Sequence, residues 1–226
     1  PALWPALADR GVALTLSGHT HYGQVALPGL RWSLASVFLE RGGPLVAVFP
    51  DDAEARDAAE AAGWFLGEKN VGLFASRGVR WGSGLEPPPH LVGERARALE
   101  ILDAGGLVCA SAIGAAERVP PREARPETIR LRVGDSPGSE DLVEQLALAG
   151  YERVEQAQER GQFAVRGGIV DVYPSTGREP VRLELFGDEI ESLRWFSTFT
   201  QRSLSDADEV EIAPAAELGA EYRELA

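Results

Sequence analysis

From residue 162 onward the chain reads as one run of strand length after another, with little between them. Runs at 163–166, 169–173, 181–186 and 190–196 are parted by Gly167-Gly168, by a stretch bounded by Pro174 and Pro180, and by Gly187-Asp188. Such short connections can turn a chain back on itself, but a crossover to a parallel strand takes about a dozen residues or more. The region is therefore predicted to be an antiparallel sheet, with a further strand at 210–212. Ahead of it, 128–133 alternates as a half-exposed strand. A capped helix is predicted from Ser139, with Glu140 and Asp141 in its favourable first turn, to Ala149-Gly150. Together these make a small α+β unit.

The residues before this unit follow a different rhythm. An apolar run at 44–50 leads to Asp51 or Asp52, either able to cap a helix from Ala53 to about Leu66, with Gly67 placed to stop it. A strand at 71–74, a Gly- and Pro-rich loop through Pro89, a helix over 92–103 and a strand at 107–110 follow. Strand and helix alternating at this spacing predict a parallel α/β sheet. The Pro-rich stretch at 120–126 separates it from the α+β unit. Four segments are expected: 1–40, 41–126, 127–214, and 215–226 as the start of something further. No internal repeat or low-complexity tract is present.

The net charge of −13 is uneven: residues 1–130 carry 13 basic and 15 acidic side chains, and residues 131–226 carry 9 and 20. An acidic surface repels a phosphate backbone, so no direct nucleic-acid contact is expected; a protein partner fits it, and so does a charge that only keeps the domain soluble. The scattered tryptophans offer no stacking platform for bases. No apolar run is long enough for a membrane span. Cys109 is the only cysteine, which excludes an internal disulfide and fits a reducing cytoplasm. It lies in an apolar strand with no histidine partner evident, as a core residue does. His90, after three prolines, reads as a helix-start residue. The absence of any methionine suggests a piece of a longer reading frame.

Near the start, Leu16-Ser17-Gly18-His19-Thr20-His21 and then Gln24 to Pro28 resemble the last metal-binding motif of calcineurin-like metallophosphoesterases. Two imidazoles one residue apart past a strand end can reach one dinuclear centre. The resemblance implies His19 and His21 as metal ligands. Such an enzyme also needs ligands from several earlier strands, and only Asp9 precedes the motif. The segment is expected to be an orphaned remnant without activity. A metal-dependent phosphoesterase is the rival reading.

Gly150 to Arg153, Arg160 to Pro174 (RGQFAVRGGIVDVYP) and Val181 to Glu191 (VRLELFGDEIE) resemble the UvrA-interaction domain shared by excinuclease UvrB and the transcription-repair coupling factors. The continuation from Leu193 to Pro214 is closer to the coupling factors. By alternation, Val181, Leu183 and Leu185 share one strand face, while Arg182, Glu184 and Phe186 share the other. Arg166 falls beside Ala164, just before a glycine pair that suggests a bulge or tight bend. The resemblance implies that Arg166, Arg182 and Phe186 contact the partner UvrA; Glu184 joins them on geometry alone. Arginine and aromatics suit such a role, bringing forked hydrogen bonds and buried area. The alternative is cross-strand Arg–Glu pairing on a solvated sheet face.

The α/β segment resembles the first domain of UvrB-like proteins, a helicase-type ATPase fold. An ATP site of that kind needs G-x-x-x-x-G-K-[ST]. Lys69, the only lysine, stands in Glu68-Lys69-Asn70 with no glycine loop before it. The expectation is a truncated, helicase-like parallel-sheet domain without a phosphate loop, which the family likeness assigns to the coupling factors rather than to UvrB. The loop would lie upstream of residue 43, so a UvrB fragment stays open. The whole reading is a non-catalytic UvrA-binding module of transcription-coupled nucleotide excision repair, without a cofactor. In the full-length family, RNA polymerase and DNA are further partners and an ATP-driven motor lies downstream.

Overall fold

A computed structural model describes residues 34–80 and 83–219. The chain divides into two compact units, with the cut between Val119 and Pro120; the first turn of one helix, residues 88–93, groups with the second unit.

The first unit is built on three parallel strands, β1 (Leu45–Phe49), β2 (Val71–Phe74) and β3 (Leu107–Ser111), in the order β1-β3-β2. Both faces are covered, so the strands read as continuous apolar runs. On one face Leu45, Ala47, Phe49, Leu107 and Cys109 pack against helices α1 (Leu34–Arg41) and α2 (Asp52–Leu66). On the other, Val46, Val108 and Ala110 meet Ala98 of α3 (Pro89–Asp103) and Ala115 of the short α4 (Ala112–Ala116). The cap of α2 is Asp51, whose side chain accepts from the Glu54 amide at 2.9 Å, and Gly67 ends the helix at φ +84°. Helix α1 was not expected. It buries Leu34, Ala35 and Val37 and belongs by packing to this unit, so the α/β unit begins upstream of the boundary expected at residue 41.

The second unit opens with β4 (Ile129–Arg132) and α5 (Ser139–Leu148). A six-stranded sheet follows: β5 (Glu152–Arg153), β6 (Gln162–Arg166), β7 (Ile169–Tyr173), β8 (Val181–Phe186), β9 (Glu189–Phe196) and β10 (Ser203–Ala207), neighbours in sequence lying side by side. Last comes β11 (Glu209–Ile212), which pairs antiparallel with β4 as a separate ribbon. The sheet is antiparallel except at one edge, where the two residues of β5 run parallel to β6. Neither β5 nor β10 was expected. One sheet face is the core: Phe163, Val170, Val172, Val181, Leu183, Ile190 and Leu193 pack with Leu142 and Leu146 of α5 and the inner residues of the ribbon. The start of α5 corrects the expected cap: Gly138, at φ +73°, precedes Ser139, and no side chain caps the helix. Glu140 and Asp141 remain in the first turn, where acidic groups favour the helix dipole.

No helix among the described residues is long and apolar enough to cross a membrane.

Candidate partner-binding face

The non-core face of the six-stranded sheet is laid out by two hairpin turns. Gly167-Gly168 joins β6 to β7 and Gly187-Asp188 joins β8 to β9, each a two-residue turn whose first glycine has φ near +60°. A left-handed first position suits glycine and matches the twist of the flanking strands. The glycine pair is thus a tight bend. With register fixed at these turns, the residues facing away from the core fall into rows. Ala164, Asp171, Arg182, Arg194 and Asp206 lie directly opposite one another across five strands. Two residues along comes Arg166, Ile169, Glu184 and Ser192; beyond them, Phe186 faces Glu189. Between the second and third rows Glu191 is an extra residue in β9, since Glu184 pairs with Ser192 but Leu185 pairs with Ile190.

The four residues expected to meet a partner are therefore on one face, but they differ in how they are held. Phe186 stands 81% exposed beside its turn. Arg166 is half exposed, and its Nη2 lies 3.3 Å from Asp171 Oδ2. Glu184 accepts from Ser192 Oγ at 2.8 Å and from Arg194 Nη1 at 3.3 Å. Arg182 is the most restrained. Its Nε donates to Asp171 Oδ1 at 2.6 Å and its Nη2 to Oδ2 at 2.8 Å, while its guanidinium carbon lies 4.7 Å from the Phe196 ring centre. The hydrogen bond to Asp171 raises the Arg182 pKa above its ordinary value against the pull of burial. Both Asp171 and Phe196 are buried, and sequence reasoning named neither as part of the site. Their signal was present in the alternation: Asp171 is the one charged residue in an otherwise apolar strand.

Charge along the face alternates. Arg166 and Arg182 share Asp171; Arg194 reaches Glu184 on one side and Asp206 Oδ1, at 3.5 Å, on the other. Arg182 and Arg194 sit directly opposite each other, a like-charge pairing that destabilises a sheet unless each cation has its own anion. Asp171 serves the first and Glu184 with Asp206 the second. Cross-strand pairing of Arg194 with Glu184 realises the solvated-face alternative in part. It leaves the Phe186 ring and Arg182 Nη1 without a hydrogen-bond or ring partner among the described residues.

In the first unit the carboxyl ends of the strands, where parallel α/β sheets commonly bind ligands, carry polar side chains that bond to one another. Asp52 accepts from the Ser76 amide at 2.8 Å and from Ser76 Oγ at 2.6 Å. Burial pushes the Asp52 pKa up, but hydrogen bonds from Ser111 and Ser76 outweigh it and hold the carboxyl below its ordinary value. Buried Arg95 lies over the Phe74 ring at 4.0 Å, donates to Ala75 O at 2.6 Å and pairs with Glu117 at 2.9 Å. Lys69 is exposed in the turn before β2, at the amino end of that strand. Cys109 is buried, and burial pushes its thiol up to about 12, which suits packing and not nucleophilic chemistry. His90 is the second residue of α3. His19 and His21 lie outside the described residues. Among the described residues no group of three or more His, Cys, Asp or Glu could hold a metal ion.

Residues 129–218 match the UvrB interaction domain family. The chain is also similar to proteins named transcription-repair-coupling factor. That of Mycobacterium tuberculosis is 37% identical over 194 residues, covering 81% of this chain and 16% of the relative. That of Bacillus subtilis is 29% identical over 208 residues, covering 88% and 18%. That of Staphylococcus aureus is 37% identical over 132 residues, covering 57% and 11%. The chain thus spans less than a fifth of the length of these relatives.

Proposed function

We propose that this relative of the transcription-repair coupling factors, whose residues 129–218 form a UvrB interaction domain, is a docking module for the repair protein UvrA. The observation that carries the proposal is the sheet face just described. It brings Arg166, Arg182, Glu184 and Phe186 onto one face in three successive rows, with a largely exposed aromatic two rows from an arginine whose position is already fixed. Aromatics and arginines are the residue types in which the binding energy of protein interfaces is often concentrated. The core behind it gives the face a rigid base, so little ordering is required on association.

In this account the module acts by binding, with no catalysis and no cofactor of its own, in the cytoplasm. The α/β unit is a helicase-like domain in which Asp52, Ser76, Arg95 and Glu117 occupy the end of the sheet where a nucleotide would be held. Absence of G-x-x-x-x-G-K-[ST] from the sequence supports the same reading. The segment ahead of α1 is the proposed phosphoesterase-like remnant, with His19 and His21 orphaned. Coupling of repair to transcription, and contact with RNA polymerase and DNA, would belong to the longer relatives.

Retention of purified UvrA on the immobilised chain tests the proposal. The chain should hold UvrA, and Arg182→Ala or Phe186→Ala should lose it while circular dichroism stays unchanged. Undiminished retention by both variants would rule this face out.

A further inference from the structure

We infer that Asp171 is a positioning residue for this face: it fixes Arg182 and Arg166 so that both guanidiniums are presented preformed to the partner. The inference rests on the docking role proposed above and adds a residue to it. Asp171 points from the middle of β7 toward the non-core side, yet is only 2% exposed. A buried carboxylate is expensive unless paired and hydrogen-bonded. Here it accepts from three guanidinium nitrogens, Nε and Nη2 of Arg182 and Nη2 of Arg166. One carboxylate thus holds two guanidiniums, within a half of the chain that is strongly acidic.

The geometry separates holding from contacting. Asp171 takes the Nε–Nη2 edge of the Arg182 fork, and Phe196 lies against the guanidinium plane at 4.7 Å. The head is thereby held at its edge and its face, and Nη1 is the nitrogen with no hydrogen bond among the described residues on a side chain 21% exposed. Asp171 also keeps Arg182 from the like charge of Arg194 directly across from it. A long, flexible side chain held in place loses less rotamer freedom when a partner arrives. Asp171 itself is too buried to meet a partner, so its effect on binding must pass through the arginines.

Three variants test this by titration with UvrA and by exchange of the Arg182 Nε–H proton in NMR. Asp171→Asn keeps the shape of the side chain and removes its charge; Arg182→Lys keeps the cation and Asp171 but loses the fork. Asp171→Asn should weaken UvrA binding about tenfold or more, with Arg182→Ala adding less than about twofold on top of it. The slowly exchanging Nε–H signal should disappear in Asp171→Asn. Arg182→Lys, which leaves the buried carboxylate with a cation and so protects folding, should bind as poorly as Arg182→Ala. If Arg182→Ala and Phe186→Ala weaken binding while Asp171→Asn and Arg182→Lys do not, Asp171 is merely structural and only this inference falls. If Arg182→Ala and Phe186→Ala leave affinity unchanged, the docking face falls and the inference with it.

Discussion

Tyr151 shows how much a single buried hydroxyl can join. Its phenol donates to the Ala213 carbonyl at 2.6 Å and accepts from the Ser175 amide at 2.9 Å, while Ser175 Oγ donates to the same carbonyl at 2.9 Å. Burial pushes the phenol up to about 12, so it remains a neutral donor at any pH at which the protein would be handled. Tyr151→Phe keeps the ring and strands the Ser175 amide, and should cost about 1–3 kcal/mol in urea unfolding; a loss below about 0.5 kcal/mol would show that the network contributes little. None of this could be read from the sequence, because Tyr151 and Ala213 are far apart along the chain. The same limit applied at the sheet face proposed to dock the partner. Alternation alone put Arg182, Glu184 and Phe186 on one side of their strand. Which acid holds Arg182 depends on the register between β7 and β8, and so Asp171 was overlooked.

At the scale of elements, the helix–sheet packing of the first unit hangs on close approach. A Cβ on Gly72 of β2 would lie 2.7 Å from the Ala98 Cα and 3.0 Å from its Cβ. Backbone, not a flexible side-chain tip, stands in the way, so α3 would have to move. Gly72→Ala should therefore destabilise the first unit by about 1–3 kcal/mol, the range for overpacking, read as a fall in its denaturant midpoint; no shift would mean that the helix gives way freely. The elements legible in advance were those with strong local signals. Asp51 and Gly67 bracket α2, and the two glycine-led turns fix the β6–β7 and β8–β9 hairpins. The others had no such signal. Strand β10 (SLSDA) is nearly all exposed and is a strand only through its pairing with β9. Helix α1 is a single short stretch whose identity comes from Leu34 and Val37 reaching the core of the α/β unit. Ser139 shows the opposite error: a plausible cap by residue type, it is already the first residue of α5, behind Gly138.

On the scale of the whole molecule, two units of different construction carry different surfaces. The first, nearly neutral in charge, joins polar side chains to one another at the carboxyl end of its sheet. The second, strongly acidic, gathers three arginines onto one sheet face and neutralises them with acids placed row by row. Each unit also exposes large aromatics, among them Trp64 at 89% on α2 and Phe186 at 81% on the hairpin. Exposure by itself does not distinguish them, and either could anchor a partner. Phe186 is the proposed anchor, because it shares the non-core face of β8 with Arg182, two rows away. Calorimetric titration of UvrA into the unmodified chain, Phe186→Ala and Trp64→Ala decides between them. Phe186→Ala should weaken binding about tenfold or more, and Trp64→Ala should change it by less than about twofold. Loss of affinity in Trp64→Ala with Phe186→Ala unaffected would contradict the central claim.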